Sequence, residues 1–363
     1  MSGHERAFIN QAFESNWIAP YGEHIDGFEL ELTTYLNPNY FVTTLNSGTS
    51  AIHLALLLLG VTNGDEVLCQ TNTFIASVNP VTYCGATPIF VDSEPDSWNI
   101  CPKQLEIAIS DRIKLGKAPK AIIAVHLYGM PYNVDEINKI AETYKIPVIE
   151  DSAEALGSSY KTKKCGTLGT LSTLSFNGNK IITTSAGGAL ITKDIQLKQK
   201  AVLLANQARE HSTEYLHNQI GYNYRMSNVL AGIGRGQLQV IQKRVEARRA
   251  IYNIYKEELG SIEEIEFQNE AESSYSNRWL TCVLLPKVSD KEGLRLLLEQ
   301  HNIESKPLWK PMHQQPVFKN LKSYINGVSD KLFSRGLCLP SGSNLTQEEQ
   351  FRVISVIKNY FSS

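Results

Sequence analysis

No apolar run in the chain approaches the roughly 20 residues that a bilayer-spanning helix needs. The longest candidate, AIHLALLLLG from Ala51 to Gly60, is half that length. The opening MSGHERAFIN is polar and charged, which argues against a secretory leader there. Charge of one sign is also lacking. A formal net charge of -2 gives no electrostatic footprint for nucleic acid or an anionic membrane surface. Cysteine is sparse: Cys69, Cys84, Cys101, Cys165, Cys282 and Cys338 are scattered, with no CxxC pair and no Cys/His cluster at ligand spacing. Such thiols fit small buried apolar residues in a reducing compartment, so a cytoplasmic location is expected and a metal site is not. Repeats, low-complexity tracts and long linkers are absent too.

What is present is ordinary globular material, 42% hydrophobic and 20% charged. At 363 residues the chain exceeds one small core, and a large domain over 1–235 with a smaller one over 236–363 is expected. Periodicity suggests helices over 4–14 and 27–35, separated by the loop NWIAPYGEH. Strands and helices then alternate. Strands are expected over 40–45, 66–69, 87–91, 121–126 and 148–150, with helices over 75–83, 102–108 and 134–144. The strand runs have few polar breaks, so they predict a mostly parallel sheet covered on both faces. In such sheets ligands sit beyond the carboxyl ends of the strands. One long helix is expected after Ser227 or Asn228, its basic residues forming a solvated face. The character changes after about residue 235, where an α+β module without a parallel sheet follows.

Two junctions carry chemistry. Asn46-Ser47-Gly48-Thr49-Ser50 leads from a strand into a helix. Gly48 allows close backbone approach, and the first-turn N–H groups with the Thr49 and Ser50 hydroxyls can hold an anion. The same pattern also serves as a plain N-cap. The second junction is the stretch from Val148 to Lys180. One strand ends on Glu150-Asp151; a second, over 171–176, ends in Asn177-Gly178-Asn179 and delivers Lys180. Alone, each residue also fits a turn or cap. Together, an acid at one strand end and an amine past another suit pyridoxal 5'-phosphate (PLP), whose lysine linkage and pyridinium nitrogen need that pair.

Along nearly its whole length the chain resembles the DegT/StrS sugar aminotransferases, PLP enzymes of fold type I. The motifs are NSGTSAIHLAL, GDEVLCQTNTFIASVNPVTYCGATPIFVD, AIIAVHLYGMP, VIEDSAEALGSSY, LSFNGNKIITTSAGGALIT, GYNYRMSNVLAGIGRGQL, PLWKPMH and LPSGSNL, in this order. The resemblance implies an α/β fold of the aspartate-aminotransferase type, with a large domain and a smaller C-terminal α+β domain. It implies that Lys180 forms the Schiff base and that Asp151 faces the pyridine nitrogen. Glu154 matches a position near the ring hydroxyl, often Gln or His in relatives. Thr49, Ser50 and Ser175 match phosphate contacts, and Phe74 the aromatic that stacks on the ring. Asn223 matches a phosphate ligand donated across a homodimer with shared sites. Trp309, Lys310 and His313 match a loop that reaches the nucleotide-sugar.

The implied reaction moves an amino group from L-glutamate, through pyridoxamine 5'-phosphate, to a keto carbon of a nucleotide-linked 6-deoxy sugar. SFNGNKIITTS, SNRWL (Ser276 to Leu280) and PLWKPMH look most like enzymes that aminate C4 of UDP-linked 4-keto-6-deoxy-N-acetylglucosamine, the bacillosamine route. C3 amination, a dTDP or GDP carrier, a PLP-dependent dehydratase and a non-catalytic regulatory member stay open as alternatives. A sister group of dehydratases carries histidine in place of the lysine, so Lys180 argues for transamination. Two departures stand out. The chain starts several residues later than many relatives, so an edge element is expected to be missing. Ser185-Ala186-Gly187-Gly188 stands where relatives often have three glycines.

Overall fold

The computed structural model describes residues 1–362. Its centre is an eight-stranded sheet. Seven strands come in chain order: β1 (Phe41–Leu45), β2 (Glu66–Gln70), β3 (Thr87–Val91), β4 (Ala121–Val125), β5 (Val148–Asp151), β6 (Leu171–Ser175) and β7 (Gly188–Thr192). In space they lie in the order β1, β7, β6, β5, β4, β2, β3, with Ser323–Tyr324 at the far edge. Only β7 runs against its neighbours. Strands β2, β4 and β7 are buried at every position; β4 is an unbroken apolar run, while β2 buries its polar ends by pairing Glu66 with Arg112 and Gln70 with the Ile100 N–H. Register brings strand ends together: Asp151 lies opposite both Val125 and Thr173. Among the described residues no helix is long and apolar enough to cross a membrane.

Three helices frame the amino-terminal side: α1 (Glu5–Glu14), α2 (Glu23–Leu36) and α3 (Gly48–Leu58). The expected helix over 75–83 is a 3-10 turn, Ile75–Ser77, followed by Asn79–Tyr83 with Pro80 in its first turn. That proline offers no N–H to continue a preceding helix. The helix expected over 102–108 runs on to Lys114.

The single long helix expected after Ser227 is two helices, Asn228–Leu238 and Ile241–Leu259. Ser227 caps the first by accepting the Leu230 N–H. Val240, at φ -116°, leaves the helical region between them. The break serves packing. The first helix presents Gly232, Gly234 and Gly236 to α1 and α2; a Cβ at Gly234 would lie 2.5 Å from the Phe28 ring, and one at Gly236 2.8 Å from the Glu5 nitrogen. The second helix turns away to a separate core, where Tyr255 meets Leu294, Leu298, Val353 and Ile357. That core backs a four-stranded antiparallel sheet of Glu266–Phe267, Thr281–Leu284, Gly336–Leu339 and Lys306–Pro307. The carboxyl-terminal part therefore has its own sheet and core, and lends only Ser323–Tyr324 to the large one.

Candidate active site

The carboxyl end of β5 delivers Asp151, 3% exposed, to the edge of a cavity of about 350 Å³. Ser77 Oγ donates to Asp151 Oδ2 at 2.6 Å, and Thr73 lies 2.7 Å from that hydroxyl. The Ala153 N–H donates to Oδ1 at 3.1 Å. These bonds fix the carboxylate's rotamer while the residue still lines the cavity. Behind it, Glu150 is fully buried and accepts from His126, Ser152, Gly166, Leu168, Gly169 and Ser172. Six donors on one carboxylate tie β5 to the loop after it, so the strand end that carries Asp151 is rigid.

The amine enters from the opposite side. After β6 the chain turns at 177–179, and Lys180 Nζ comes to 3.7 Å from Glu154 Oε1. It also lies 4.3 Å over the Trp279 ring. Glu154 accepts the Tyr128 N–H at Oε2. Burial raises its pKa most and the Asp151 charge adds to that; Lys180 and the Tyr128 N–H offset them only in part, leaving it at about 7. The cavity thus holds a geometrically fixed carboxyl, a second acid poised to carry a proton, and an amine.

Its third wall is the start of α3. Ser47 takes the N–H groups of Ser50, through its hydroxyl, and of Ala51, through its carbonyl. The N–H groups of Gly48 and Thr49 are left at the open end of the helix, where an anion is favoured. A Cβ at Gly48 would lie 3.0 Å from Ser175 Cβ, so a larger residue would crowd this end of the cavity. An anion cradle, a fixed carboxylate and an amine around one space of this size form the donor set that PLP requires. Gly48, Thr49 and Ser175 would hold the phosphate, Asp151 the ring nitrogen and Lys180 the aldehyde carbon.

Residues 1–358 match the DegT/DnrJ/EryC1/StrS aminotransferase family. The chain belongs to this family. It is a PLP-dependent sugar aminotransferase of fold type I. Over 99% of its length it is 48% identical to EpsN of Bacillus subtilis (strain 168), assigned to the pyridoxal phosphate-dependent aminotransferases, and covers 94% of that protein. It is 37% identical to a GDP-perosamine synthase from Escherichia coli O157:H7, over 100% of this chain and 97% of the relative. A solved DegT DnrJ EryC1 StrS aminotransferase from Brucella abortus superposes with a TM-score of 0.93 at 28% identity, covering 99% of this chain and 96% of the other.

In this aminotransferase Thr49, Phe74, Asp151, Glu154, Ser175, Lys180 and Trp309 line one cavity. Phe74, half exposed, meets Trp309 with ring centroids 5.3 Å apart. Four other residues singled out in the sequence lie outside that lining. The Ser50 hydroxyl donates to Asn46 Oδ1 and touches Ser47 Oγ, so it braces the helix start. Asn223 is exposed, and its carbonyl accepts from Asn46 Nδ2. Lys310 is exposed on the loop after Trp309. His313 is held by Thr71 Oγ1 at 2.8 Å and Asp330 Oδ1 at 3.0 Å. The sequence reading missed Ser77, the partner of Asp151, and Trp279, the ring under Lys180. Ser77 sits in TNTFIAS and Trp279 in SNRWL; both stretches were visible, but neither contact is local.

Proposed function

We propose that this enzyme transfers the amino group of L-glutamate to C4 of a UDP-linked 4-keto-6-deoxy-N-acetylhexosamine, working as a homodimer with shared sites. The observation that carries the reading is the placement of Asp151, Glu154 and Lys180 around one cavity whose outer wall is aromatic. When bound, PLP supplies an electron-withdrawing ring and an aldehyde carbon that carries nitrogen between the substrates, with pyridoxamine 5'-phosphate as the loaded form. Asp151, its carboxylate oriented by Ser77, would face the ring nitrogen and favour a proton there. Lys180 Nζ would carry a proton to and from the substrate carbon, and Glu154, able to hold a proton near neutral pH, stands beside that amine. Phe74 and Trp309 cover the open side and limit water.

The sugar assignment is supported by where its motifs lie. SNRWL and PLWKPMH put Trp279 and Trp309 on the same wall, ring centroids 6.1 Å apart. The named activity of the perosamine relative involves a GDP-linked sugar, so the carrier is the variable to test. The dimer is supported by exposed Asn223, which stands beside the helix-start cradle on an aromatic segment with Tyr222 and Tyr224. The experiment incubates PLP-loaded enzyme and L-glutamate with UDP-, GDP- and dTDP-linked 4-keto-6-deoxy sugars. Amino-sugar and 2-oxoglutarate in equal amounts with the UDP substrate is the expected result. Product with GDP or dTDP sugars alone refutes the carrier, and net loss of oxygen without an amine refutes transamination. Mixing Lys180→Ala and Asn223→Ala subunits should restore part of the activity; no recovery in demonstrated heterodimers refutes shared sites.

A further inference from the structure

We propose that Trp279 is a positioning residue for Lys180, the indole end of a clamp built by Ser276-Asn277-Arg278-Trp279 of the carboxyl-terminal part. This rests on Lys180 being the reacting amine. The turn that carries Lys180 is closed by one backbone bond of its own, from the Lys180 N–H to the Asn177 carbonyl at 3.0 Å. Asn177, Gly178 and Asn179 are exposed, and a Cβ at Gly178 would meet nothing within 4 Å. Trp279, 2% exposed, reaches this turn from the other side. Its Nε1–H donates to the Asn179 carbonyl at 2.8 Å, one peptide before the lysine. Its ring face lies 4.3 Å from Lys180 Nζ, where a π-face steadies the amine when it carries a proton.

The same segment holds the acid. Asn277 Nδ2 donates to the carbonyls of Glu154 at 2.8 Å and Leu156 at 2.9 Å. Asn277 Oδ1 accepts the Trp279 N–H at 2.9 Å, so the two grips are tied directly. One four-residue segment thereby sets the backbone of Glu154 and of the lysine turn, and with them the 3.7 Å separation of Nζ and Oε1. The segment is built for this at some cost. Arg278 sits at φ +50°, a strained region for a side chain of its size. It is kept there by Glu270 at 3.1 Å, by the Gln268 carbonyl at 3.2 Å and by the Tyr252 ring at 3.7 Å. Arg248 donates to the Trp279 carbonyl. Gly129, at φ +90°, clears room; a Cβ there would fall 1.9 Å from Asn277 Oδ1. The segment thus couples the carboxyl-terminal part to the amine without lending a reacting group.

The test compares Trp279→Phe, which keeps a ring but loses the N–H, with Trp279→Leu, which loses both. With Trp279→Phe, kcat should fall about tenfold, the size of one lost hydrogen bond felt in the transition state. KM for glutamate and sugar should stay within about twofold. Trp279→Leu should fall further. Hydrogen exchange on the cofactor-free chain should show faster exchange in both variants, confined to the peptide spanning 177–182, with the melting temperature of Trp279→Phe close to that of the parent. Unchanged kcat and unchanged exchange in Trp279→Phe overturn the proposal. So does a loss of kcat with a matching global loss of protection, which marks a general packing role. The exchange readout uses no cofactor, so it stands apart from any failure of the transaminase reading.

Discussion

Substituting Glu150 with glutamine removes one charge and almost no volume from the strand that presents Asp151. In the parent, Oε1 accepts from His126 at 2.7 Å, Ser152 at 2.8 Å and Gly166 at 2.6 Å. Oε2 accepts from Leu168 at 2.7 Å, Gly169 at 3.1 Å and Ser172 at 2.6 Å. Whichever oxygen becomes NH2, it faces three former donors. A serine hydroxyl can turn and accept, but the other two bonds are lost. At roughly 1.5–3 kcal/mol for each bond to a charged group, the loss is about 3–6 kcal/mol. The same bonds also set this carboxyl's pKa. Burial pushes this carboxyl up, but the bonds from His126, Ser172 and Gly166 win and hold it at about 2, against an ordinary 4.5. A depressed carboxyl stabilises the fold above its unfolded pKa and loses that contribution as pH falls through its folded one. The shift corresponds to ~3 kcal/mol at pH 7. Urea melts of the cofactor-free chain should therefore show Glu150→Gln about 3–6 kcal/mol weaker at pH 7, with the gap narrowing from pH 4.5 toward 2. A variant within about 0.5 kcal/mol of the parent at pH 7 would refute the reasoning.

Three further outcomes are expected. Asp151→Asn should leave the melt unchanged and lower kcat by about 10²-fold, since one charge-assisted bond to the ring nitrogen is lost; steady-state kinetics checks this. Gly48→Ala should weaken PLP binding about tenfold by crowding the cradle against Ser175, read by titration of cofactor absorbance. The Glu154 carboxyl keeps its proton up to about 7 in the folded chain but only to 4.5 when unfolded. Its contribution is full below 4.5 and declines as pH rises to about 7, so Glu154→Gln should flatten the stability profile in that window.

Where local chemistry decides, the sequence was readable. The unbroken apolar run of β4 gave a buried strand, Ser47 before Gly48 gave a capped helix start, and the acid and amine junctions fell at one cavity. Where packing decides, it was not. Nothing in GQLQVIQKR marks the break at Val240, because the break is set by glycines seating against Phe28 and Glu5. The reversed direction of β7 follows from a hairpin-like return after Lys180 that apolar content does not encode. Trp279 lies 99 residues from Lys180 in the chain, so their contact is a product of the tertiary fold. Ser50 and His313 carry side chains suited to ligands, yet each is engaged by neighbours that only the fold supplies.

The most direct measurement is borohydride reduction of the PLP-loaded protein followed by peptide mapping. The account predicts a single cofactor adduct, on the peptide carrying Lys180, and none in Lys180→Ala. An adduct on a different lysine, or no adduct in a protein that has taken up the cofactor, would contradict it.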